Sequence, residues 1–293
     1  MHQKTLRKAS EIGGIGLHTG KDVRIVLHPA PTDHGIVFRI HSGGGTTDVP
    51  AKAEYVTRTR LGTCLGRNDV QVCTVEHLLA ALVGMEIDNL LVEVRGGEIP
   101  VMDGSSQPFV SRIRHAGIRI QPAPRRFLRV VEPLVIEENG VSAALLPSAE
   151  PIYGCLIDFD HPAVGQQELK ITLTPESFNA EVATARTFGF EEDIQVLRRQ
   201  GYALGAGLQN AIGLSRDGCV LNPEGLRYPD EFVRHKVLDA IGDLALAGLP
   251  LLGEYRGVKS GHTFNHKLVQ ALLAHPAFWE VVQFAEYPKA EAV

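Results

Sequence analysis

Val233-Arg234-His235-Lys236-Val237-Leu238-Asp239-Ala240-Ile241-Gly242-Asp243-Leu244-Ala245-Leu246-Ala247-Gly248 is the stretch from which the rest of the chain is read. Val237, Leu238, Ile241, Leu244, Ala245 and Gly248 recur at helical spacing on one side, so the segment predicts a helix. Gly248 and Pro250 supply its stop. At 3.6 residues per turn, His235, Asp239 and Asp243 fall within roughly 80° of one another on a single stripe, and Lys236 lies about 20° beyond Asp243. Leu244 to Leu252 is almost wholly apolar. The helix is therefore central, and its polar stripe faces something inside the molecule. Buried charges need partners or a metal. A His and an Asp one turn apart can point at one ion. They can equally pair along the helix with Lys236 or Arg234.

Outward from this helix, composition sets the bounds. The chain has 293 residues, 44 % hydrophobic and 22 % charged, with a net charge of -5. That is a soluble globular composition, long enough for one large domain or two ordinary ones. The acidic balance argues against general nucleic-acid binding. Cys64, Cys73, Cys155 and Cys219 show no close pairing and no Cys-x-x-Cys. Neither a disulfide framework nor a cysteine zinc site is expected, and a reducing cytoplasm is. Met1 to Lys8 lacks the apolar core of a signal peptide. Leu244 to Leu252 is too short to span a bilayer, so no integral membrane segment is expected.

Residues 1 to 60 read as strands and turns, with Val23 to Leu27 alternating and Gly35 to Ile40 following. Gly14 to Lys21 fails as a phosphate loop, because Ile15 and Asp22 stand where glycine and Ser/Thr are required. It reads as a turn. Cys73 to Gly84 predicts a helix with Thr74 as N-cap and Gly84 as C-cap. Glu76 and His77 then lie in its first turn, where the helix dipole favours a negative Glu76 and an unprotonated His77. A neutral imidazole is the metal-binding form, while plain capping accounts for the same two residues. Asp88 to Val94 reads as a strand, Gly96 to Ser106 as a loop and Pro108 to Ala116 as a helix. Gln121-Pro122-Ala123-Pro124-Arg125-Arg126 reads as a linker, so the domains are 1–123 and 124–293.

The second half repeats the first. Val141 to Phe159 has the layout of Val23 to Ile40. The central helix, a strand over Leu251 to Tyr255, a glycine loop over Gly257 to His262 and a helix from His266 to Ala274 then repeat the earlier helix, strand, loop and helix. This predicts an internal duplication of one α+β unit, with a cleft between two layered domains. An insert over about 183–221 holds a helix from Glu191 to Gln200 and a strand-like Ala211 to Leu214. Its glycines do not form a dinucleotide fingerprint. Its apolar residues suit a core, or the lining of a lipid channel.

Thr74 to His77, Ile99 to Ser105, Ala185 to Phe190, Val233 to Leu244 and Lys259 to His262 together resemble the UDP-3-O-acyl-N-acetylglucosamine deacetylases, zinc amidases of bacterial lipid A synthesis. The resemblance covers about residues 3 to 285. It implies two α+β sandwich domains with the metal between them. His77, His235 and Asp239 are the implied zinc ligands, a donor set that ferrous iron also fits. Two His and a carboxylate leave the open coordination position that hydrolysis needs. Glu76 is the implied general base and His262 the general acid. Thr187 and Lys236 are implied at the oxyanion, and Asp243 holds the catalytic histidine. Phe188, Ile194 and the insert around Ala203, Gly207 and Ala211 resemble the acyl-chain passage, where Gly207 and Gly213 are smaller than expected. The implied substrate is UDP-3-O-acyl-N-acetylglucosamine, the products acetate and the free 2-amino sugar nucleotide, and the enzyme a cytoplasmic monomer. A hydrolase of another N-acyl sugar and a non-enzymatic nucleotide-sugar or lipid binder are the rival readings. Intact Glu76, Lys236 and His262 argue against a binder, which needs no acid and base.

Overall fold

The structure, a computed structural model, describes residues 1–283; residues 284–293, the end of the expected second domain, lie outside the described residues. The first half runs β1 (His2–Leu6), β2 (Ser10–Ile15), β3 (Asp22–Pro29), β4 (Ile36–Ser42), β5 (Gly45–Pro50), β6 (Val56–Arg58), β7 (Cys64–Arg67), β8 (Val70–Cys73), α1 (Glu76–Gly84), β9 (Leu90–Arg95), α2 (Gln107–Ala116) and β10 (Ile118–Pro124). The second runs β11 (Arg126–Val130), β12 (Leu134–Glu138), β13 (Val141–Leu146), β14 (Pro151–Phe159), β15 (Gly165–Thr172), the single turn α3 (Pro175–Ser177), β16 (Phe188–Phe190), α4 (Glu191–Arg199), β17 (Ile212–Leu214), α5 (Glu231–Leu244), β18 (Leu251–Val258), α6 (His262–Ala274) and β19 (Trp279–Gln283). The fold is mixed α and β, with the strands in several sheets.

Two sheets carry the same wiring. In the first the order is β2-β3-β9-β4-β5, with β4 parallel to β9 and the other pairs antiparallel. In the second, β12-β13-β18-β14-β15 runs in the same order, with β14 parallel to β18 and the other pairs antiparallel. In each, a helix precedes the central strand (α1 before β9, α5 before β18) and another follows it (α2, α6). The strands form because apolar and polar residues alternate: Val23, Ile25 and Leu27 point inward from β3. β11 and β19 extend the second sheet.

α1 and α5 are buried nearly all round and pack on each other, while α2 lies on β2, α5 on β14 and β15, and α6 on β13. Leu78, Leu79, Ala80, Ala81 and Leu82 on α1 are at most 1 % exposed, which is why this helix shows no polar face. Close approach of the two helices depends on Gly242. A Cβ there would stand 2.1 Å from the carbonyl oxygen of Glu76.

Several expectations are corrected. Cys64 and Cys73 are disulfide-bonded, leaving Cys155 and Cys219 free. They are direct partners across the β7–β8 hairpin, whose turn at Asn68 and Asp69 takes positive φ and folds two distant positions onto each other. Residues 121–126 are not a linker. Ile118–Pro124 pairs with β1, and Arg125 is buried against Glu86 (3.0 Å) and Asp88 (2.7 Å). Thr74 does not cap α1, whose N-cap is Val75; Thr74 sits at φ 58 and donates through Oγ1 to Glu98 (3.2 Å). Met85, not Gly84, is the C-cap. α6 begins at His262, four residues before the expected start, so His262 is helical rather than in the glycine loop. No helix among the described residues is long and apolar enough to cross a membrane.

Candidate metal centre and active site

Three buried side chains meet where α1 begins and α5 passes. His77 comes from the first turn of α1, His235 and Asp239 from α5, and one ligand atom of each lies within 4.8 Å of the others. Nε2 of His235 is 3.4 Å from Asp239 Oδ1, and Nε2 of His77 is 3.6 Å from the same oxygen. Both separations exceed a hydrogen bond. Asp239 Oδ1 is buried without any hydrogen-bond partner. Such an orphaned carboxylate oxygen is costly, and a divalent cation between it and two imidazole nitrogens removes the cost. The donor set therefore fits a metal ion.

The surrounding contacts prepare these donors. His235 Nδ1 lies 3.0 Å from the carbonyl of Ala185, which can only accept, so Nδ1 carries the proton and Nε2 keeps a free lone pair. Burial pushes the His235 imidazole down to about 3, so it is neutral across the physiological range. Ala185 is held by its neighbour. Arg186, 2 % exposed, donates through Nε to Glu231 Oε1 (2.9 Å) at the start of α5. That ion pair fixes the segment that also delivers Thr187 and Phe188. On the α1 side, Ser106 Oγ donates to the His77 carbonyl (2.7 Å). Thr187 N–H donates to the Gly104 carbonyl (2.9 Å), and Gly104 takes φ 84 where a Cβ would strike Asn210.

Around the trio lie four further groups. Lys236 Nζ donates to Asp239 Oδ2 (2.7 Å) and stands 5.5 Å over the Phe188 ring. The helix pairing weighed above is thus made by Lys236 and Asp239, while Arg234 pairs with Asp230 instead. Burial raises Asp239, but Lys236, His235, His262 and His77 together outweigh it and hold the carboxyl well below the usual range. Glu76, 3 % exposed, accepts from the Thr63 N–H (3.0 Å). Burial raises it above the ordinary carboxylate value, against the charges of His262 and His77. His262 donates from Nδ1 to Asp243 Oδ2 (2.9 Å). Burial alone lowers it, yet Asp243 and Asp239 raise it to about 10.

All three candidate ligands, Glu76, Lys236, Thr187, Phe188 and His262 line one cavity of ≈ 510 Å³, open to solvent. Asp243 lies behind His262. Leu17 lines it too, from the turn that follows β2, whose strand includes Gly14 and Ile15 and so shortens the expected turn, as do Thr59, Arg60 and Leu61. Ile194, Ala203, Gly207 and Ala211 are not on its walls. Ile194 is half-buried on α4, and Ala203 is buried at φ 53 with its N–H 3.4 Å from His18 Nδ1. Gly207 N–H bonds Asn210 Oδ1, and the Ala211 carbonyl accepts from Asn222. Thr63 and Asn265 were not signalled by any motif. Asn265 stands one turn after His262 on α6, a spacing at which a second donor to Asp243 could have been sought.

Two imidazoles and a carboxylate lining an open cavity, together with a second buried carboxylate and a cationic imidazole, define the class of metal-dependent hydrolases. Comparison narrows the class. Residues 3–274 match the family described as UDP-3-O-acyl N-acetylglycosamine deacetylase. The chain is 46 % identical to the UDP-3-O-acyl-N-acetylglucosamine deacetylase of Myxococcus xanthus over 96 % of this chain and 89 % of that one. It is 47 % identical to the protein of the same name from Nitratidesulfovibrio vulgaris, over 99 % of this chain and 93 % of that one. The Chromohalobacter salexigens protein of that name is likewise 47 % identical, over 98 % and 95 %. The chain belongs to this deacetylase family and is an amide hydrolase.

Proposed function

We propose that this chain hydrolyses the N-acetyl group of UDP-3-O-acyl-N-acetylglucosamine, giving acetate and UDP-3-O-acyl-glucosamine, an early step of lipid A biosynthesis. It acts as a cytoplasmic monomer with Zn2+ held by His77, His235 and Asp239; ferrous iron fits the same donors. The observation that carries the metal-dependent reading is the buried, unpartnered Asp239 Oδ1 facing two imidazole nitrogens. Bound there, the ion supplies Lewis acidity, polarising the amide carbonyl and lowering the pKa of water toward neutrality.

The side chains do the rest. Glu76 accepts the proton that the attacking water loses; its raised affinity for protons suits a base that must hold one briefly. The Lys236 ammonium and the Thr187 hydroxyl, both on the cavity wall, stabilise charge that gathers on the carbonyl oxygen. An amide nitrogen leaves only after gaining a proton. His262, protonated and oriented by Asp243, gives it one. The C–N bond breaks with its electron pair on nitrogen, and the hydroxyl from water stays on the acyl carbon.

The insert at 183–221 holds the acyl chain in this reading, beginning at Phe188. The matching strand orders support an internal duplication, with domains at 1–123 and 124–293 and the site between them.

The test is metal content together with acetate release from the UDP-sugar. One divalent ion per chain is expected, with release abolished by a chelator and restored by Zn2+. Full release by metal-stripped protein would overturn the metal role. Equal efficiency on N-acetyl sugars lacking the nucleotide would return the chain to a broader N-acyl-sugar hydrolase. Binding without release would make it a binder.

A further inference from the structure

Thr63, directly before β7, touches Glu76 and the carboxylate that holds His262. Its backbone N–H donates to Glu76 Oε2 (3.0 Å), and its hydroxyl donates to Asp243 Oδ1 (2.7 Å). Thr63 is 1 % exposed, Glu76 3 % and Asp243 2 %, so water does not stand in for either bond. The other oxygen of Asp243 receives His262 Nδ1 (2.9 Å) and Asn265 Nδ2 (2.9 Å). Asn265 is itself fixed, since its Oδ1 accepts from the Tyr255 hydroxyl (2.6 Å) and from Ser260 Oγ (2.7 Å). Asp243 is thus held from the α6 side by Asn265 and from the first half of the chain by Thr63 alone.

The backbone around Thr63 is built for this contact. Leu61 sits at φ 60 and Gly62 at φ 149, and a Cβ on Gly62 would stand 2.9 Å from Glu76 Oε1. Left-handed backbone at a non-glycine residue is retained where surrounding contacts enforce it. The β7–β8 pairing ties the two segments together: Cys64 follows Thr63, Cys73 precedes Glu76 by three residues, and the two are opposite each other in the hairpin.

We propose that Thr63 is a positioning residue that sets base against acid: its amide holds Glu76, and its hydroxyl holds the carboxylate that aims His262. This rests on the roles given above to Glu76 and His262. Removing the hydroxyl leaves the Glu76 bond intact, because that bond comes from the backbone. It leaves Asp243 Oδ1 buried and unpaired, and the carboxylate, then held through Oδ2 by Asn265 and His262, loses the bond that fixes its rotation and so aims the imidazole less well.

The experiment compares T63V, T63S and D243A with the parent, and T63V combined with D243A. T63V keeps the size and removes the hydroxyl. Its kcat is expected to fall by about 10–100-fold, the usual cost of losing such an orienting partner. KM and bound metal are expected to stay at parent values, and T63S to restore most of the rate. In the D243A background T63V should cost nothing further, since Thr63 acts through Asp243. A readout apart from turnover is the exchange of the His262 Nδ1 proton in metal-free protein by NMR, faster in T63V than in the parent. If T63V does not fold, T63A carries the same expectations. Parent kcat and parent exchange in T63V, with D243A impaired, overturn the proposal. An unimpaired D243A overturns the role of His262 on which it rests, and the proposal with it. Loss of rate in T63V that T63S does not restore, or that adds fully to D243A, also overturns it.

Discussion

At the scale of single residues, the proposed function separates groups that hold an ion from groups that move protons, and on that reading the two sets answer differently to substitution. His77→Ala or Asp239→Ala removes one of three donors, so the ion and nearly all activity should be lost. Asp243→Ala should keep the ion, because Asp243 bonds His262, Asn265 and Thr63. Metal analysis on purified protein checks this; equal loss in all three variants would show that Asp243 is a ligand. The proton-transfer pair sets the pH profile. The base must start deprotonated, so activity falls at acid pH as Glu76 takes a proton; burial raises that limb, and a dication held by the adjacent His77 would oppose the rise. The acid must start protonated, so activity falls at alkaline pH as His262 loses its proton. Asp243 and Asp239 raise His262 to about 10, and a dication held by Asp239 would lower it from there, so the limb is expected below that value. Glu76→Ala should cut kcat by about 10²–10⁴ and weaken the acidic limb; His262→Ala should cut it similarly and flatten the alkaline one. Both should retain metal. A parent-like alkaline limb in metal-loaded His262→Ala would leave both proton transfers to Glu76. The stripe of His235, Asp239 and Asp243 and the adjacency of Glu76 and His77 are legible in sequence, because helical spacing and chain neighbourhood are local, but that the two segments meet, and that His262 joins them, is implied only by the family resemblance. Thr63 is not legible. Its bonds join positions 13 and 180 residues apart, and no periodicity carries that information.

At the scale of elements, the site depends on α1 and α5 lying close enough for His77 to meet His235 and Asp239. The rings of His77 and His235 are 4.9 Å apart and nearly perpendicular. That approach is permitted by Gly242, whose missing Cβ leaves room for the Glu76 carbonyl. Gly242→Ala should force the helices apart, costing about 1–3 kcal/mol, the usual range for overpacking. It should also weaken metal binding, since the donors sit on opposite sides of the contact. Denaturant unfolding and metal titration on the same sample test this; parent values for both would mean that the helices can slide without cost. The helices themselves are legible from their apolar runs, although α6 starts earlier than its pattern shows. There His262 opens a helix after Gly261, a boundary that apolar spacing from His266 onward does not mark. The Cys64–Cys73 bond and the β1–β10 pair escape for a shared reason. Both depend on which strands lie side by side, and strand register follows from the fold rather than from local composition. Proline and glycine made 121–126 read as a linker, yet β10 is paired on one side only, where prolines are tolerated.

At the scale of the whole molecule, the two similarly wired sheets bring α1 from one half against α5 from the other, and residues 183–221 lie outside that shared wiring. Its short strands β16 and β17 lie parallel, with Phe188 opposite Ile212 and Gly189 opposite Gly213. Phe188 and Phe190 pack with Phe159, and Ile212 and Leu214 are fully buried. Alternation along the strands turns Gly189 and Gly213 to the other face. There a Cβ on Gly213 would meet Leu208 and Leu221, which are 41 % and 38 % exposed, whereas nothing lies within 4 Å of a Cβ on Gly189. This glycine face, edged by apolar side chains, lies on the strand that turns Phe188 to its other face, and in the proposed function an alkyl chain crosses it. It also offers a cleaner test than the buried Ala203, whose positive φ makes any larger residue strained. Gly189→Leu fills open space without forcing a clash. If the acyl chain of the substrate lies across this face, the leucine displaces part of it. Each buried methylene contributes about 0.8 kcal/mol, so losing three costs about 2.4 kcal/mol, or roughly 50-fold in kcat/KM for a long-chain substrate. A short-chain analogue that ends before Gly189 should react as with the parent enzyme, with unchanged kcat and metal content. The deciding measurement is therefore the ratio of kcat/KM for long and short substrates in Gly189→Leu and parent. A ratio that does not change would return the insert to a purely structural part in the fold.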